Sequence, residues 1–371
     1  MLHRVEANFH AHETPSGELL RKAVRGKDLD EAERVFAALA REGVDDAFNA
    51  LLYAVQDGTE VHRTVLPYRA WDLLGLIGKE QAHTLLRQSV RYCVKSEREW
   101  GINDKARKVL PALFDQYHLL DRPAGRRVAD DAWVESMSKT VFEGTPEQAA
   151  DAVAAALADG IAADSVGEAI SLAANQLVLR DQGRTARESQ PGKPPGSVHG
   201  DSIGVHACDS ANAWRNMARA GNPRNAVACL ILGGYQVALD RTNRGGDFLH
   251  WPPQPLAEAR EAVKADTPEA LLRETEVAVR ANDQARAAAL VSAYGSRGHA
   301  ERPVFDLLLR YAVSEDGALH AEKFYRTVSE EFASTRPAFR WRQLTALARV
   351  TASEYGRPAP GYAEACALLK V

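Results

Sequence analysis

Hydrophobic residues recur with the spacing of α-helices along almost the whole chain. Residues 18–42 form two short apolar-periodic segments that Gly26 and Asp28 separate, and residues 46–56 form a third segment that ends before Gly58. Alternating runs of Val, Ile and Thr, which indicate strands, are nearly absent, and aromatic residues make up only 7% of the chain. The pattern therefore predicts an all-α fold.

The same order of helical segments recurs three times, with a period of about 115 to 120 residues. The tripeptide AVR at 23–25 returns at 278–280, and a histidine that follows Val or Leu opens a predicted helix in each copy. We therefore predict a helical-repeat array that forms one continuous structural unit. Its three copies cover residues 14–125, 126–256 and 257–371.

The second copy carries an insertion, residues 181–198, that is rich in Gly, Pro, Ser and Arg. This composition is typical of an exposed loop. We expect the insertion to lie on the surface, where it is a candidate cover for a site.

Charge and composition argue against several classes of partner. The net charge of −4 comes from interleaved acids and bases, and no basic stripe follows one helix face, so we expect no nucleic-acid partner. The sequence contains no apolar run of about 18 residues, and its first residues lack the apolar region of a signal peptide. We therefore expect a cytoplasmic protein without a membrane partner.

The cysteines are far apart in the sequence and form no C-x-x-C pair. This spacing predicts neither a zinc ribbon nor a disulfide framework, so we expect reduced and mostly buried thiols. The four residues are Cys93, Cys208, Cys229 and Cys366.

Three histidines occupy the same place in the repeat, at the start of a helix in each copy. A repeat scaffold needs only apolar residues at its repeating core positions, so His62, His206 and His320 suggest chemistry rather than packing. Imidazoles from three copies that meet near one axis would suit a transition metal; we favour iron, with copper or zinc as alternatives. His83, on the next helix of the first copy, is the candidate fourth ligand.

Other side chains near these histidines are candidates for supporting roles. Asp209 follows His206 by three residues, so on a helix it shares that face and could ligate the metal or orient the ring. Asp209 and Tyr68 are the candidate catalytic residues, and a helix cap or a surface position is the structural alternative for each polar residue. Trp71, Asn212 and Trp214 are the predicted pocket residues, and His199 and Asp201 are further candidate members of the site.

Two stretches, VHRTVLPYRAWDLLGLIGKEQAHTLLRQSVRY and VHACDSANAWRNMAR, resemble a bacterial helical-repeat family that occurs fused behind Rieske [2Fe–2S] domains. The matching positions are His62, Trp71, Ile77, Gly78, His83, Leu86, Arg87, His206, Asn212, Ala213 and His320. The resemblance implies an all-helical fold in a redox setting. None of the cysteines has the C-x-H or C-x-x-H spacing of a Rieske cluster, so electrons would come from a separate donor.

These observations favour a metal-dependent oxidoreductase that activates oxygen and acts on a small organic substrate at a histidine-rich site. Two alternatives stay open from the sequence. A zinc-dependent hydrolase would use the same site and needs no electron donor. A non-catalytic helical-repeat module would instead bind a protein or peptide along an apolar groove.

Overall fold

A computed structural model describes Val5, Ala7 and residues 16–99, 104–317 and 320–371. Leu319, which precedes His320 in the repeat, lies outside these described residues. Helices make up 71% of the structure, and the described residues contain eighteen α-helices and no β-strand. The predicted all-α class is therefore confirmed.

The chain divides into two compact units. The first unit comprises residues 1–170 and 213–238, and the second comprises residues 171–212 and 239–371. These limits differ from the predicted repeat boundaries because packing between long helices, rather than sequence register, decides which residues cluster.

Eight helices belong wholly to the first unit. They are α1 (Gly17–Arg25), α2 (Leu29–Glu42), α3 (Val44–Val55), α4 (Val61–Ile77), α5 (Ala82–Glu99), α6 (Asp104–Tyr117), α7 (Asp131–Glu143) and α8 (Pro146–Ala158). Three longer helices contribute residues to both units. They are α9 (Ala163–Arg180), α10 (Ile203–Ala220) and α11 (Pro223–Arg244).

The remaining seven helices belong to the second unit. They are α12 (Ala257–Glu261), α13 (Pro268–Arg280), α14 (Gln284–Ser296), α15 (Arg302–Ser314), α16 (Ala321–Ser334), α17 (Trp341–Glu354) and α18 (Tyr362–Leu369). None of the helices in the described ranges has the length and apolarity needed to cross a lipid bilayer.

Local capping places the helix boundaries where the sequence predicts them. The Asp28 side chain accepts a hydrogen bond from the backbone N–H of Glu31, which starts α2 after the break at Gly26. Thr145 and Gln148 form a reciprocal capping box at the start of α8. The predicted helix near His62 begins at Val61, where Glu60 caps α4.

The histidines of the repeat all lie at helix starts, as predicted. His62 is the second residue of α4, His206 is the fourth residue of α10, and His320 directly precedes α16. Corresponding helices also pack together in the first and last copies. In the first copy α2 packs against α1 and α5, and in the last copy α14 packs against α13 and α17. The threefold repeat as a whole stays a prediction.

The core of the first unit contains charged side chains as well as apolar ones. Glu33 on α2 is 1% exposed, and it accepts hydrogen bonds from Nε and Nη2 of Arg87 at 2.8 and 2.9 Å. Arg91 adds a bond to the same carboxylate at 2.6 Å. A buried carboxylate needs such partners, because removing it from water is otherwise unfavourable.

We predict that Glu33→Ala destabilises the protein by about 3 to 5 kcal/mol, because it leaves the buried Arg87 guanidinium without its counter-charge. Urea unfolding followed by circular dichroism measures this change. Glu31→Ala is the matched control on the same helix, since Glu31 forms an exposed ion pair with Arg34 whose loss costs about 1 kcal/mol or less. Equal destabilisation by the two substitutions would contradict this assignment.

Candidate functional site

The structure brings together two of the four histidines that the sequence singles out. Nε2 of His206 lies 2.8 Å from Nε2 of His320, although 114 residues separate them. The ring centroids are 4.7 Å apart and the rings are tilted by 52°. Both side chains are half-buried.

Two helix starts hold this pair in place. The backbone N–H of His206 bonds to the carbonyl of Ser202 in the first turn of α10, and the His320 carbonyl accepts from Phe324 in the first turn of α16. Phe324 is 1% exposed and anchors α16 in the core. The ring positions therefore follow from the packing of α10 and α16 within this unit.

Glu354, at the end of α17, is the residue of this site that sequence reasoning missed. Its Oε1 accepts a hydrogen bond from the backbone N–H of Gly200 at 2.9 Å. A Cβ atom on Gly200 would lie 2.4 Å from that oxygen and 3.0 Å from Cβ of His320. Gly200 thus allows a close approach that places the carboxyl beside the histidine pair.

The Glu354 carboxyl holds its proton at neutral pH. Burial raises its pKa to about 8, the Gly200 bond opposes this rise, and the charges of Asp201, Glu322 and Asp316 add to it. The sequence does contain a pattern that points to Glu354. Its helical spacing places it on the same face of α17 as the buried Leu347 and Val350. An acid on an apolar face needs a special reason to be there.

Asp201, a less certain candidate in the sequence, is part of an ionic cluster next to Gly200. Arg184 and Lys193 both donate to its carboxylate, as does Nδ1 of His199 at 3.1 Å. Burial alone would raise the pKa of Asp201, but the hydrogen bonds from these three side chains outweigh it and hold the pKa well below its usual range. Asp201 is therefore ionised.

His199 is fully buried, and one of its ring nitrogens has no protein partner. Nδ1 faces the ionised Asp201, so this nitrogen carries the proton, whereas Nε2 has no hydrogen-bond partner among the described residues. Leaving a buried acceptor without a donor costs free energy. A small molecule that donates to Nε2 would recover it.

The 181–198 insertion is tied to this region by its ends. The middle of the insertion is exposed, as predicted, but Arg184 bonds to Ser197 through the backbone and to Asp201 through its side chain. Gly183 has a φ of 81° and lies against Gly196, where a Cβ atom would come within 2.2 Å of the Gly196 carbonyl oxygen. The insertion is thus anchored beside the loop that carries His199 and Gly200.

The predicted four-histidine metal centre is not found. No group of three or more His, Cys, Asp or Glu side chains in the described part of the chain is arranged to hold a metal ion. His62 is exposed, and its Nδ1 lies 2.7 Å from Glu60, the residue that caps α4. His83 stacks on Phe36 with ring centroids 5.9 Å apart, and burial lowers its pKa. Local capping and packing thus account for both side chains.

Asp209 and Asn212 hold α10 against α16 within the second unit. Thr327 donates to Oδ1 of Asp209 at 2.7 Å, and Nζ of Lys323 lies 3.0 Å from Oδ2. Asn212 is fully buried and donates to Glu331 at 2.9 Å. The structure therefore places the predicted catalytic Asp209 and the predicted pocket residue Asn212 in a buried polar contact between helices.

The aromatic residues proposed as pocket walls separate into two environments within the first unit. Tyr68 and Trp71 on α4 line a cavity of about 440 Å³, and Trp71 stacks on Phe48 with centroids 4.2 Å apart. Trp214 is only 1% exposed and donates from its indole N–H to Gln236 at 2.7 Å. This side chain fills the core of the first unit, and its place in a substrate pocket stays a prediction.

The four cysteines are free, and Cys93, Cys208 and Cys229 are buried, as the sequence predicts.

Comparisons of the chain with protein-family models, with characterised proteins and with solved structures found no match. The site must therefore be interpreted from its own geometry.

We predict that Glu354→Gln flattens the pH dependence of stability in the presence of a chelator. Because the pKa of Glu354 rises from 4.5 to about 8 on folding, the folded chain binds the extra proton, and its stability falls as pH rises between these values. This contribution amounts to up to about 5 kcal/mol. Gln keeps an acceptor for the Gly200 N–H, so the fold is retained.

The measurement is urea unfolding at about pH 5 and about pH 8 for both proteins. Glu322→Gln is the control, because Glu322 is exposed and nearby and should leave the pH dependence close to that of the wild type. Parallel curves for the wild type and Glu354→Gln would show that Glu354 is already ionised at low pH.

Proposed function

We propose that the second unit is the catalytic part of a metal-dependent oxidoreductase that acts on a small organic substrate. The observation that carries this proposal is the 2.8 Å separation of the His206 and His320 Nε2 atoms. Two nitrogens at this separation can both lie about 2.1 Å from one ion, because twice that distance exceeds their separation. The ligand set is then two histidines rather than the four that the sequence favours.

The surroundings of the pair support a cation. Asp316 and Glu322 place negative charge around Glu354, and Gly200 brings Glu354 next to His320. Neutral imidazoles with open positions beside them suit iron or copper, and iron is the ion we favour. Such an ion supplies one-electron chemistry, with electrons from a separate donor.

The protein groups have separate tasks in this proposal. His206 and His320 hold the ion from two helix starts that the core fixes. Glu354 holds a proton near neutral pH, so its carboxyl can give that proton to a substrate oxygen or take one back. His199 offers its buried Nε2 to a hydroxyl or amino group of the substrate. The anchored 181–198 insertion limits the access of water to this side of the site.

The first test is metal content. We expect protein produced without an affinity tag and loaded with ferrous ion under anaerobic conditions to bind one equivalent. We expect the variants His206→Ala and His320→Ala each to lose most of the bound iron, because a single remaining imidazole holds an ion weakly. His250→Ala is the matched control, since His250 belongs to the same unit but is exposed and paired with Asp247. Binding that survives both site substitutions, or binding far below one equivalent in the wild type, would show that the two rings only share a proton.

The second test is oxygen chemistry. We expect the iron-loaded chain to consume dioxygen with ascorbate as electron donor faster than the same amount of free iron, and we expect His320→Ala to abolish the difference. An oxygen electrode measures this rate. Zinc-loaded protein that instead hydrolyses an ester, together with no oxygen uptake by the iron form, would favour the hydrolase alternative.

A further inference from the structure

A second cavity, of about 610 Å³, lies within the first unit. Its walls come from α3, α8, α9 and α11, from the connection between α6 and α7, and from the turn between α10 and α11. Most of the wall is aliphatic, with Leu119, Leu157, Val227 and Leu230 among its residues. A cavity of this size and character is typical of sites for small organic molecules.

The guanidinium group of Arg224 lies in this apolar wall and contacts neutral groups. Nη1 of Arg224 donates to Oε1 of Gln56 at 2.6 Å and to Oδ1 of Asn225 at 2.9 Å. The guanidinium carbon lies 3.9 Å from the ring centroid of Tyr53. Gln56 and Asn225 are buried and bonded to each other at 3.0 Å, so they form a rigid support.

The charge of Arg224 is not neutralised within the protein. No residue that lines the cavity is Asp or Glu, and no described carboxylate forms an ion pair with Arg224. The hydrogen bonds formed by Arg224 among the described residues all leave from Nη1, so the N–H groups of Nε and Nη2 stay available. Burial lowers the pKa of this guanidinium, which indicates that the surrounding protein does not compensate for its lost hydration.

Three other arginines of this unit each have a carboxylate partner. Arg63 lies 3.1 Å from Glu97, and Arg87 lies 2.8 Å from Glu33, so each has a carboxylate partner. Arg107 lies 2.6 Å from Glu97. Arg224 is the exception in this comparison, since amide oxygens and the rings of Tyr53 and Phe114 contact its charge.

We propose that this cavity binds a small organic carboxylate, with the carboxylate on the Nε and Nη2 side of Arg224 and an aliphatic body against the leucine and valine wall. The guanidinium fork matches a carboxylate in two parallel hydrogen bonds. Arg122, on the same cavity wall, adds a second positive charge. The aliphatic wall contributes affinity through burial of the chain of the ligand.

Calorimetric titration of the full chain with decanoate tests this site, with 1-decanol as the uncharged ligand of the same length. We expect decanoate to bind at one site, at least about ten-fold more tightly than 1-decanol, because charge-assisted hydrogen bonds are lost with the alcohol. Arg224→Gln should weaken decanoate binding by at least about ten-fold and leave 1-decanol binding unchanged. Gln keeps a donor for Gln56 and Asn225.

Two further variants complete the test. Arg34→Gln removes an exposed arginine of the same unit and should not change decanoate binding. Ala226→Leu fills the cavity from α11 and should weaken both ligands. Equal binding of decanoate and 1-decanol by the wild type, or undiminished decanoate binding by Arg224→Gln, would overturn the proposal. If Arg224→Gln does not fold, as circular dichroism would show, undiminished binding by Ala226→Leu overturns it instead.

Discussion

The candidate site of the second unit depends on the burial of one carboxyl group. Glu354 ends α17 inside the core, where the single hydrogen bond from Gly200 is too little to keep it ionised, and its pKa rises to about 8. That bond also fixes the 199–201 loop against His320. The loop then places His199 and Asp201, and Asp201 in turn anchors the insertion through Arg184 and Lys193. One buried group thus connects the histidine pair, the loop and the insertion.

In both units, buried charged side chains form pairs of opposite charge. A charged or ionisable group without such a partner is therefore informative. Glu33 and Arg87 neutralise each other in the first unit, as do Asp209 and Lys323 in the second. Such pairs hold helices in register and leave little for a ligand. Glu354 and Arg224 lack an opposite charge of this kind; Glu354 lies next to His320, and Arg224 lines a cavity of about 610 Å³. These two residues are therefore the points at which the fold offers chemistry or binding.

The two candidate ligands differ in character. The histidine pair, with Glu354 and His199 beside it, offers proton and metal chemistry to a polar part of a substrate. The cavity around Arg224 offers one fixed positive charge and an apolar wall, which suits recognition without reaction. No group among the residues lining that cavity is a nucleophile or general base of the usual kinds, apart from Tyr53.

The sequence alone determined the all-α class and several helix boundaries. Periodic apolar residues, the caps at Asp28 and Glu60, and the break at Gly26 depend on neighbours a few residues away, so they can be read locally. It also marked His206 and His320, because a polar residue at a repeated helix start stands out against an apolar scaffold. The resemblance to a Rieske-associated family added a redox expectation that stays a prediction.

Only the tertiary structure decided which histidines meet. His62 carries the same local signal as His206 and His320, and His83 lies at the start of the next helix, but contacts with Glu60 and Phe36 account for these two side chains. Asp209 and Trp214 likewise looked chemical in sequence and are packing groups, since their partners, Thr327 and Gln236, lie far along the chain. The reverse holds for Glu354, whose importance comes from Gly200, 154 residues away. Local sequence patterns determine each helix. The pairing of distant side chains depends on how the helices pack, and the periodicity of apolar residues does not determine that packing.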